Sequence, residues 1–165
     1  MTLSALTLRP TCATDRDAII ALVQATRFFR ENELGIAIEV LDDALAQGPG
    51  GHYQSYTALV NAAPVGWLCF GATPCTLGTF DIYWLAVAPA QQGHGVGSRL
   101  LSHAEELIRA GGGRLIVIET SGQNRYASTQ MFYRKNGYIE AARVPDFYAP
   151  GDAKIIYTKV VTAAS

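Results

Sequence analysis

Apolar residues recur along this chain with two different periods, which predicts a mixture of strands and helices. Alternating or continuous apolar runs, typical of strands, occupy residues 6–10, 53–60, 65–71, 79–88, 114–120, 138–144 and 153–160. Apolar residues with helical spacing occupy 14–27, 36–46, 96–110 and 126–136. The predicted order of elements is therefore β, α, α, β, β, β, α, β, α, β, β.

Turn-forming residues separate these elements and indicate their directions. Thr14 or Asp15 is placed to cap the first helix, and residues 61–64 are typical of a hairpin turn. The early strands are thus expected to be antiparallel. The strands on either side of helix 96–110 are expected to be parallel, because a right-handed crossover joins such pairs. The sequence predicts one α/β domain, residues 1–165, with a mixed sheet.

Composition narrows the class of protein. A chain of 165 residues with 49% hydrophobic and 16% charged residues fits a single packed domain. The formal net charge is −1 without a basic block, so neither a nucleic-acid partner nor a phosphate-tracking surface is expected. No signal peptide or membrane-spanning run is seen, and the three cysteines form no CxxC pair. We therefore expect a cytoplasmic protein with idle thiols, no membrane partner and no metal.

The most informative segment is a glycine-rich turn between strand 79–88 and helix 96–110. It consists of Gln92, Gly93, His94, Gly95, Val96 and Gly97. Glycines let the backbone turn sharply and approach a ligand closely. The start of a helix leaves N–H groups unpaired and carries the positive end of the helix dipole. This combination predicts a site for phosphate or pyrophosphate.

Three other ligand-binding loops fit less well. A P-loop needs Gly-Lys-Ser/Thr, but Ser98 and Arg99 follow Gly97. A dinucleotide site needs its third glycine one residue later, although Glu119 does end the next strand. A methyltransferase-like loop needs an acid where this chain has Gln91. Too few elements follow the loop for either doubly wound fold, so both enzyme classes are disfavoured.

The pattern Gln92-x-x-Gly95-x-Gly97 resembles the signature of the GNAT superfamily of N-acetyltransferases. Phe132-Tyr133, followed by Gly137-Tyr138, looks like a second landmark of that family. The order of elements matches as well, and the resemblance extends over residues 6–159. It implies the family's fold: a mixed, mostly antiparallel central sheet with a splayed parallel strand pair and flanking helices.

The resemblance implies acetyl-CoA as co-substrate. The implied cofactor-binding residues are Leu85, Val87, Gln92, Gly93, His94, Gly95, Val96, Gly97, Asn124 and Ser128. Loop N–H groups would bind the pyrophosphate, and the amide of Val87 would polarise the thioester carbonyl. Many members have an Asn where this chain has Tyr126, so Asn124 and Ser128 are the nearby polar substitutes.

Acetyl transfer requires a neutral amine, a stabilised oxyanion and a proton for the leaving thiolate. Tyr133 resembles the family tyrosine that protonates the thiolate, although a tyrosine on an amphipathic helix can also be a core residue. Asp81 lies in an apolar strand where some members carry a catalytic glutamate, and it is the candidate base. A carboxyl buried there would have a raised pKa, which suits a base near neutral pH. An exposed or ion-paired strand residue is the alternative.

The candidate acceptor-binding residues are Phe29, Glu39, Glu119 and Tyr148. The resemblance places the acceptor pocket among the first two helices, the central strands and the last loop. That loop, residues 145–152, is aromatic and acidic, which suggests a polar amine; a plain turn explains it equally well. Glu119 fits a structural role as well as a ligand contact.

Together these observations predict an acyltransferase that moves an acetyl group from acetyl-CoA to a primary amine by direct attack in a ternary complex. A small-molecule acceptor is favoured. A protein N-terminal or lysine acetyltransferase and a non-catalytic acyl-CoA-binding module are the alternatives. The sequence leaves a homodimer open and does not name the acceptor.

Overall fold

The computed structural model describes residues 6–162, which form an α/β fold around a mixed seven-stranded sheet. The strands are Leu6–Pro10 (β1), Gln54–Val60 (β2), Ala63–Ala72 (β3), Thr79–Val87 (β4), Leu115–Ser121 (β5), Ile139–Ala149 (β6) and Asp152–Val160 (β7). The helices are Arg16–Ala25 (α1), Glu31–Gln47 (α2), Val96–Ala110 (α3) and Ala127–Lys135 (α4). The strand order is β1-β2-β3-β4-β5-β7-β6, and β4 and β5 run parallel. The predicted fold class and order of elements are confirmed.

The chain divides into two compact units, and the first comprises residues up to Gly71 together with Tyr83–Ala104. Its strands β1, β2 and β3 form an antiparallel ladder. The apolar stripes of α1 and α2 are buried against β3, and this core contains Ile19, Leu22, Val23, Ala37, Val40, Leu41, Trp67 and Cys69. The indole N–H of Trp67 donates to Ser55 Oγ at 2.8 Å, so the largest buried side chain has a polar partner.

The second unit comprises Ala72–Ile82 and the chain from Glu105 onward. Residues Thr79–Ile82 of β4 pair in parallel with Leu115–Ile118 of β5. β7 pairs antiparallel with β5, and β6 pairs antiparallel with β7. Because successive strand residues point to opposite faces, Ile116, Ile118 and Tyr157 are buried on one face of this sheet.

Two turns differ from their predicted positions. Asn61 and Ala62 have φ angles of 50° and 65°, so the hairpin turn consists of these two residues and Pro64 already belongs to β3. The predicted loop 145–152 is wrong, because β6 continues to Ala149. The aromatic residues Phe147 and Tyr148 favour an extended backbone, and the turn needs little more than Gly151, whose φ is 80°.

The predicted cap of the first helix is also different. A short 3-10 turn, Ala13–Asp15, precedes α1, and Asp15 makes no side-chain capping bond to α1. Its carboxylate instead accepts hydrogen bonds from the backbone N–H of Cys12 at 3.0 Å and from the Arg9 guanidinium at 2.6 Å. The guanidinium bond lowers the pKa of Asp15 to about 2. The acid therefore ties the turn to β1.

None of the helices within residues 6–162 is both long enough and apolar enough to cross a membrane.

Candidate active site

The glycine loop connects β4 to α3 and is open to solvent. Gly93 and Gly95 have φ angles of 77° and 82°. Residues other than glycine rarely adopt this region of backbone conformation. Residues 92–95 are exposed, and α3 begins at Val96. The N–H of Arg99 donates to Gly95 O at 3.0 Å, which leaves the preceding N–H groups without an intrahelical acceptor. The geometry is that of an anion site at a helix N-terminus.

Gln92 fixes the start of this loop. Its side-chain Nε2 donates to the carbonyl of Val87 at 3.1 Å, and its backbone N–H donates to Pro89 O at 3.3 Å. The side chain therefore links the loop to the end of β4 rather than extending toward a ligand. Leu85 and Val87 are half-buried on β4, which continues to Val87 after its four-residue register with β5 ends at Ile82.

A glycine on β3 lets α3 lie close to the sheet. A Cβ at Gly66 would lie 2.9 Å from Leu100 Cδ1 and 3.1 Å from Val96 Cγ1, and both neighbours are buried. Since Val96 is the first residue of α3, this close contact also positions the loop that precedes the helix.

Gly66→Val is expected to lower the free energy of unfolding by about 1–3 kcal/mol, because the added methyl groups overpack the contact with α3. Denaturant unfolding measures this change. Gly35→Ala on α2 is the control, since nothing lies within 4 Å of its added Cβ and alanine favours a helix. Equal unfolding free energies for Gly66→Val and wild type would contradict the proposed packing.

Tyr133 lies in the last half of α4 and is 7% exposed. Its ring contacts Tyr138 at 6.1 Å and Tyr157 at 5.9 Å between centroids. Burial raises the pKa of Tyr133 above its usual value, so the hydroxyl stays protonated at neutral pH. The side chain is thus packed between two aromatic rings and keeps its proton at neutral pH.

Asp81 lies on β4, opposite Val117 of β5. It is half-buried, and its carboxylate accepts a hydrogen bond from the hydroxyl of Thr73 at 2.6 Å. Thr158 of β7 is also opposite Val117, and the neighbouring Tyr157 points to the other face, where its ring contacts Tyr133. Tyr133 and Asp81 therefore lie on opposite faces of the sheet in this unit.

Glu119 lies two residues beyond Val117 on β5 and shares a sheet face with Asp81. It forms an ion pair with Lys154 at 2.6 Å, and the side chain of Lys154 is only 14% exposed. The same ammonium lies 3.8 Å from the centre of the Phe147 ring. Lys154 could not be predicted, because no local pattern shows that β7 will place it beside Glu119.

The polar candidates near α4 lie at the surface. Asn124 belongs to a 3-10 turn that precedes the helix, and Ser128 lies in the first turn of α4; both are exposed. Tyr126, at the position of the family asparagine, is buried and receives a hydrogen bond from Arg125 at 2.9 Å. A surface ligand can therefore reach Asn124 and Ser128 but not the Tyr126 ring.

Two acceptor candidates, Phe29 and Glu39, lie on the first two helices or their connection, and Phe29 joins an aromatic group. Phe29 contacts Trp84 of β4 at 5.2 Å, whereas Glu39 is exposed on α2. The Trp84 indole nitrogen is buried and has no partner within the described chain. On the same strand, the Tyr83 hydroxyl is 3.0 Å from His52 Nε2. His52 lies 31 residues away in sequence, so no motif could have indicated this pair.

The acidic residues of the predicted loop have structural partners. Asp146 accepts a hydrogen bond from the Gly151 N–H at 2.7 Å and so closes the β6–β7 turn. Asp152 is buried and accepts one from Ser121 Oγ at 2.5 Å. Tyr148 is exposed on β6, with its ring 5.0 Å from Phe147. The loop's acids therefore no longer support a polar amine as acceptor.

The thiols and histidines form no further site in the part of the chain that is described. Cys69 is buried, which raises its pKa to about 12, while Cys12 and Cys75 are exposed. No cluster of His, Cys, Asp or Glu able to hold a metal ion is found within residues 6–162.

Comparison with known proteins identifies the family. The family model for the acetyltransferase (GNAT) domain matches residues 51–140. A GNAT-family protein from Desulfovibrio desulfuricans is 38% identical, with a TM-score of 0.91, and the match covers 96% of this chain and all of that one. Comparison with curated proteins gave no match.

More distant structures share the fold. The ribosomal-protein-S18-alanine N-acetyltransferase of Escherichia coli is 21% identical, with a TM-score of 0.76, and 97% of this chain and 96% of that one are covered. An aminoglycoside 6'-N-acetyltransferase crystallised with coenzyme A is 15% identical, with a TM-score of 0.76 and coverage of 96% and 99%. The first comparison and the domain match decide the assignment: this chain belongs to the GNAT acetyltransferase family.

Proposed function

We propose that this protein transfers an acetyl group from acetyl-CoA to a primary amine of a small molecule. The observation that carries the proposal is the loop before α3, where Gly93 and Gly95 adopt positive φ angles and exposed N–H groups precede a helix. A pyrophosphate matches this arrangement, because its charge is stabilised by unpaired N–H groups and by the helix dipole. Membership of the GNAT family supports acetyl-CoA as the donor.

In this proposal the amides of Leu85 and Val87 bind the pantetheine arm and the thioester carbonyl. Both residues lie beyond the register of β4 with β5, which ends at Ile82. A backbone N–H directed at the carbonyl stabilises the oxyanion that forms when the amine attacks. Loop residues 92–97 bind the pyrophosphate, and Asn124 and Ser128 supply the exposed polar contacts near α4.

Tyr133 and Asp81 are proposed as acid and base. The buried Tyr133 hydroxyl retains its proton until the thiolate leaves, and Asp81 removes the proton of the attacking amine. The hydroxyl of Thr73 donates a hydrogen bond to the Asp81 carboxylate at 2.6 Å, which fixes the orientation of this side chain.

The acceptor is proposed to contact Phe29, Glu39, Glu119 and Tyr148. Glu119 carries the strongest support, because it shares a sheet face with Asp81 and its side chain, although paired with Lys154, is 46% exposed. Trp84 adds an indole N–H to the aromatic surface of Phe29.

A cytoplasmic location fits the three unpaired cysteines and stays a prediction.

An acceptor screen that follows release of the coenzyme A thiol tests this function. Small primary amines, peptides with free N-termini and peptides with internal lysines are compared at equal amine concentration with saturating acetyl-CoA. The highest kcat/KM is expected for a small amine. A clear preference for either peptide class would replace the small-molecule acceptor with a protein, and thiol release without any amine would contradict transferase activity.

Asp81→Asn is expected to lower kcat most strongly at low pH, where the acceptor amine is protonated and depends on the base. The defect should shrink as pH rises and free amine becomes abundant. A pH–rate profile with a cognate amine measures this. Asp17→Asn, on the exposed face of α1, is the control with the same charge change. A defect of equal size at every pH would show that Asp81 positions substrate or stabilises the fold.

A further inference from the structure

A closed chain of hydrogen bonds connects the C-terminal end of α4 to a buried carboxylate. Glu105 of α3 is 7% exposed and accepts from the Tyr138 hydroxyl at 3.0 Å and from Lys159 Nζ at 2.8 Å. Lys159 Nζ also donates to the carbonyl of Asn136, the residue directly after α4, at 2.9 Å. The backbone N–H of Tyr138 donates to Tyr133 O at 3.1 Å and so completes the circuit.

In the ion pair between Glu105 and Lys159, the carboxylate is buried and the side chain of Lys159 is 26% exposed. Such a pair gains little stability over apolar residues of similar size, because the carboxylate loses its hydration. It does impose one geometry, since each partner must keep its hydrogen bonds. Tyr138 is 2% exposed, and burial together with Glu105 raises its pKa, so its hydroxyl remains a donor.

Two members of this chain of hydrogen bonds contact Tyr133, one at its ring and one at its backbone carbonyl. The Tyr138 ring, fixed by Glu105, lies 6.1 Å from the Tyr133 ring. Lys159 holds the Asn136 carbonyl, and Asn136 N–H in turn donates to Tyr133 O at 3.1 Å. The ring of Tyr133 therefore packs beside a ring whose hydroxyl Glu105 binds. Its backbone carbonyl accepts from Asn136, the residue whose own carbonyl Lys159 binds.

We propose that Glu105 and Lys159 are positioning residues: through Tyr138 and Asn136 they hold the hydroxyl of Tyr133 where it can protonate the leaving thiolate. The inference rests on the proposed role of Tyr133 as the acid. It assigns to a partly buried ion pair on α3 and β7 a contribution to kcat that acts only through Tyr133.

The test replaces the pair by apolar side chains of similar size, Glu105→Leu with Lys159→Met, so that no buried charge is left alone. The kcat for a cognate amine is expected to fall about 10- to 100-fold, because a small displacement of a catalytic group has effects of that order. The KM for acetyl-CoA should stay within about twofold, since the acid acts in the transition state. Glu106→Leu with Lys135→Met makes the same changes at exposed positions and should leave kcat unchanged.

The decisive experiment introduces Glu105→Leu with Lys159→Met into the Tyr133→Phe variant. There it should alter kcat by less than about twofold, because the group that it positions is already gone. A wild-type kcat for the paired variant, or the full loss again in Tyr133→Phe, would overturn the proposal. If the paired variant does not fold, Tyr138→Phe removes one hydroxyl only; a kcat equal to wild type would then overturn it. An unchanged kcat for Tyr133→Phe itself would instead refute the proposed acid.

Discussion

Tyr133→Phe is expected to lower kcat by about 10²- to 10⁴-fold, the usual contribution of a positioned general acid. The change removes one hydroxyl and keeps a ring that packs against Tyr138 and Tyr157. Because the hydroxyl acts mainly in the transition state, the KM for acetyl-CoA should change little. Steady-state kinetics with a cognate amine measure both constants.

The pH dependence of this variant adds a second criterion. Burial raises the pKa of Tyr133, so the wild-type enzyme should keep its acid protonated throughout the neutral and mildly alkaline range. The ratio of wild-type to variant kcat should therefore stay constant there. Tyr56→Phe on β2 is the control, since Tyr56 is also a partly buried tyrosine with a raised pKa. An unchanged kcat in Tyr133→Phe would mean that the thiolate leaves without this acid.

Gly95→Glu is expected to abolish measurable binding of acetyl-CoA. The new side chain would place bulk and negative charge where the pyrophosphate is proposed to lie, and like charges at a helix N-terminus repel. Isothermal titration calorimetry with acetyl-CoA measures the loss directly. Wild-type affinity in the variant would remove this loop from the donor site.

Backbone strain has to be separated from this effect. Gly95 has a φ of 82°, so any side chain costs about 1–3 kcal/mol in stability. Gly112→Glu is a matched control, because Gly112 has the same φ of 82° and open space at its Cβ position. Both variants should lose similar thermal stability, and only Gly95→Glu should lose affinity for acetyl-CoA.

Much of the fold could be predicted because its signals are local. The strand at Leu6–Pro10 and the helix at Val96–Ala110 have the predicted boundaries, since apolar spacing and flanking glycines act within a few residues. The extension of β6 through Phe147 and Tyr148 was missed. Pro145 and the acids suggested a loop, but the strand continues to Ala149 through an irregularity after Val144, where Asp146 has a φ of 54°.

In the candidate site, too, some features could be predicted from local sequence and others could not. The turn of the glycine loop could be predicted, because the positive φ angles of Gly93 and Gly95 follow from the residue type at those positions. The partners of Glu119 and Asp81 could not be predicted, because Lys154 and Thr73 reach these acids only through strand pairing. The Glu105–Lys159 pair spans 54 residues and leaves no local trace in the sequence.

The central claim, acetyl transfer from acetyl-CoA to an amine, is tested most directly by following an isotopically labelled acetyl group. The protein is incubated with acetyl-CoA labelled in the acetyl carbons and with a panel of amines, and products are analysed by mass spectrometry alongside the free thiol. Labelled N-acetyl product equal in amount to the coenzyme A released is expected. Bound but unconsumed acetyl-CoA with every amine, or label recovered only as acetate, would contradict it.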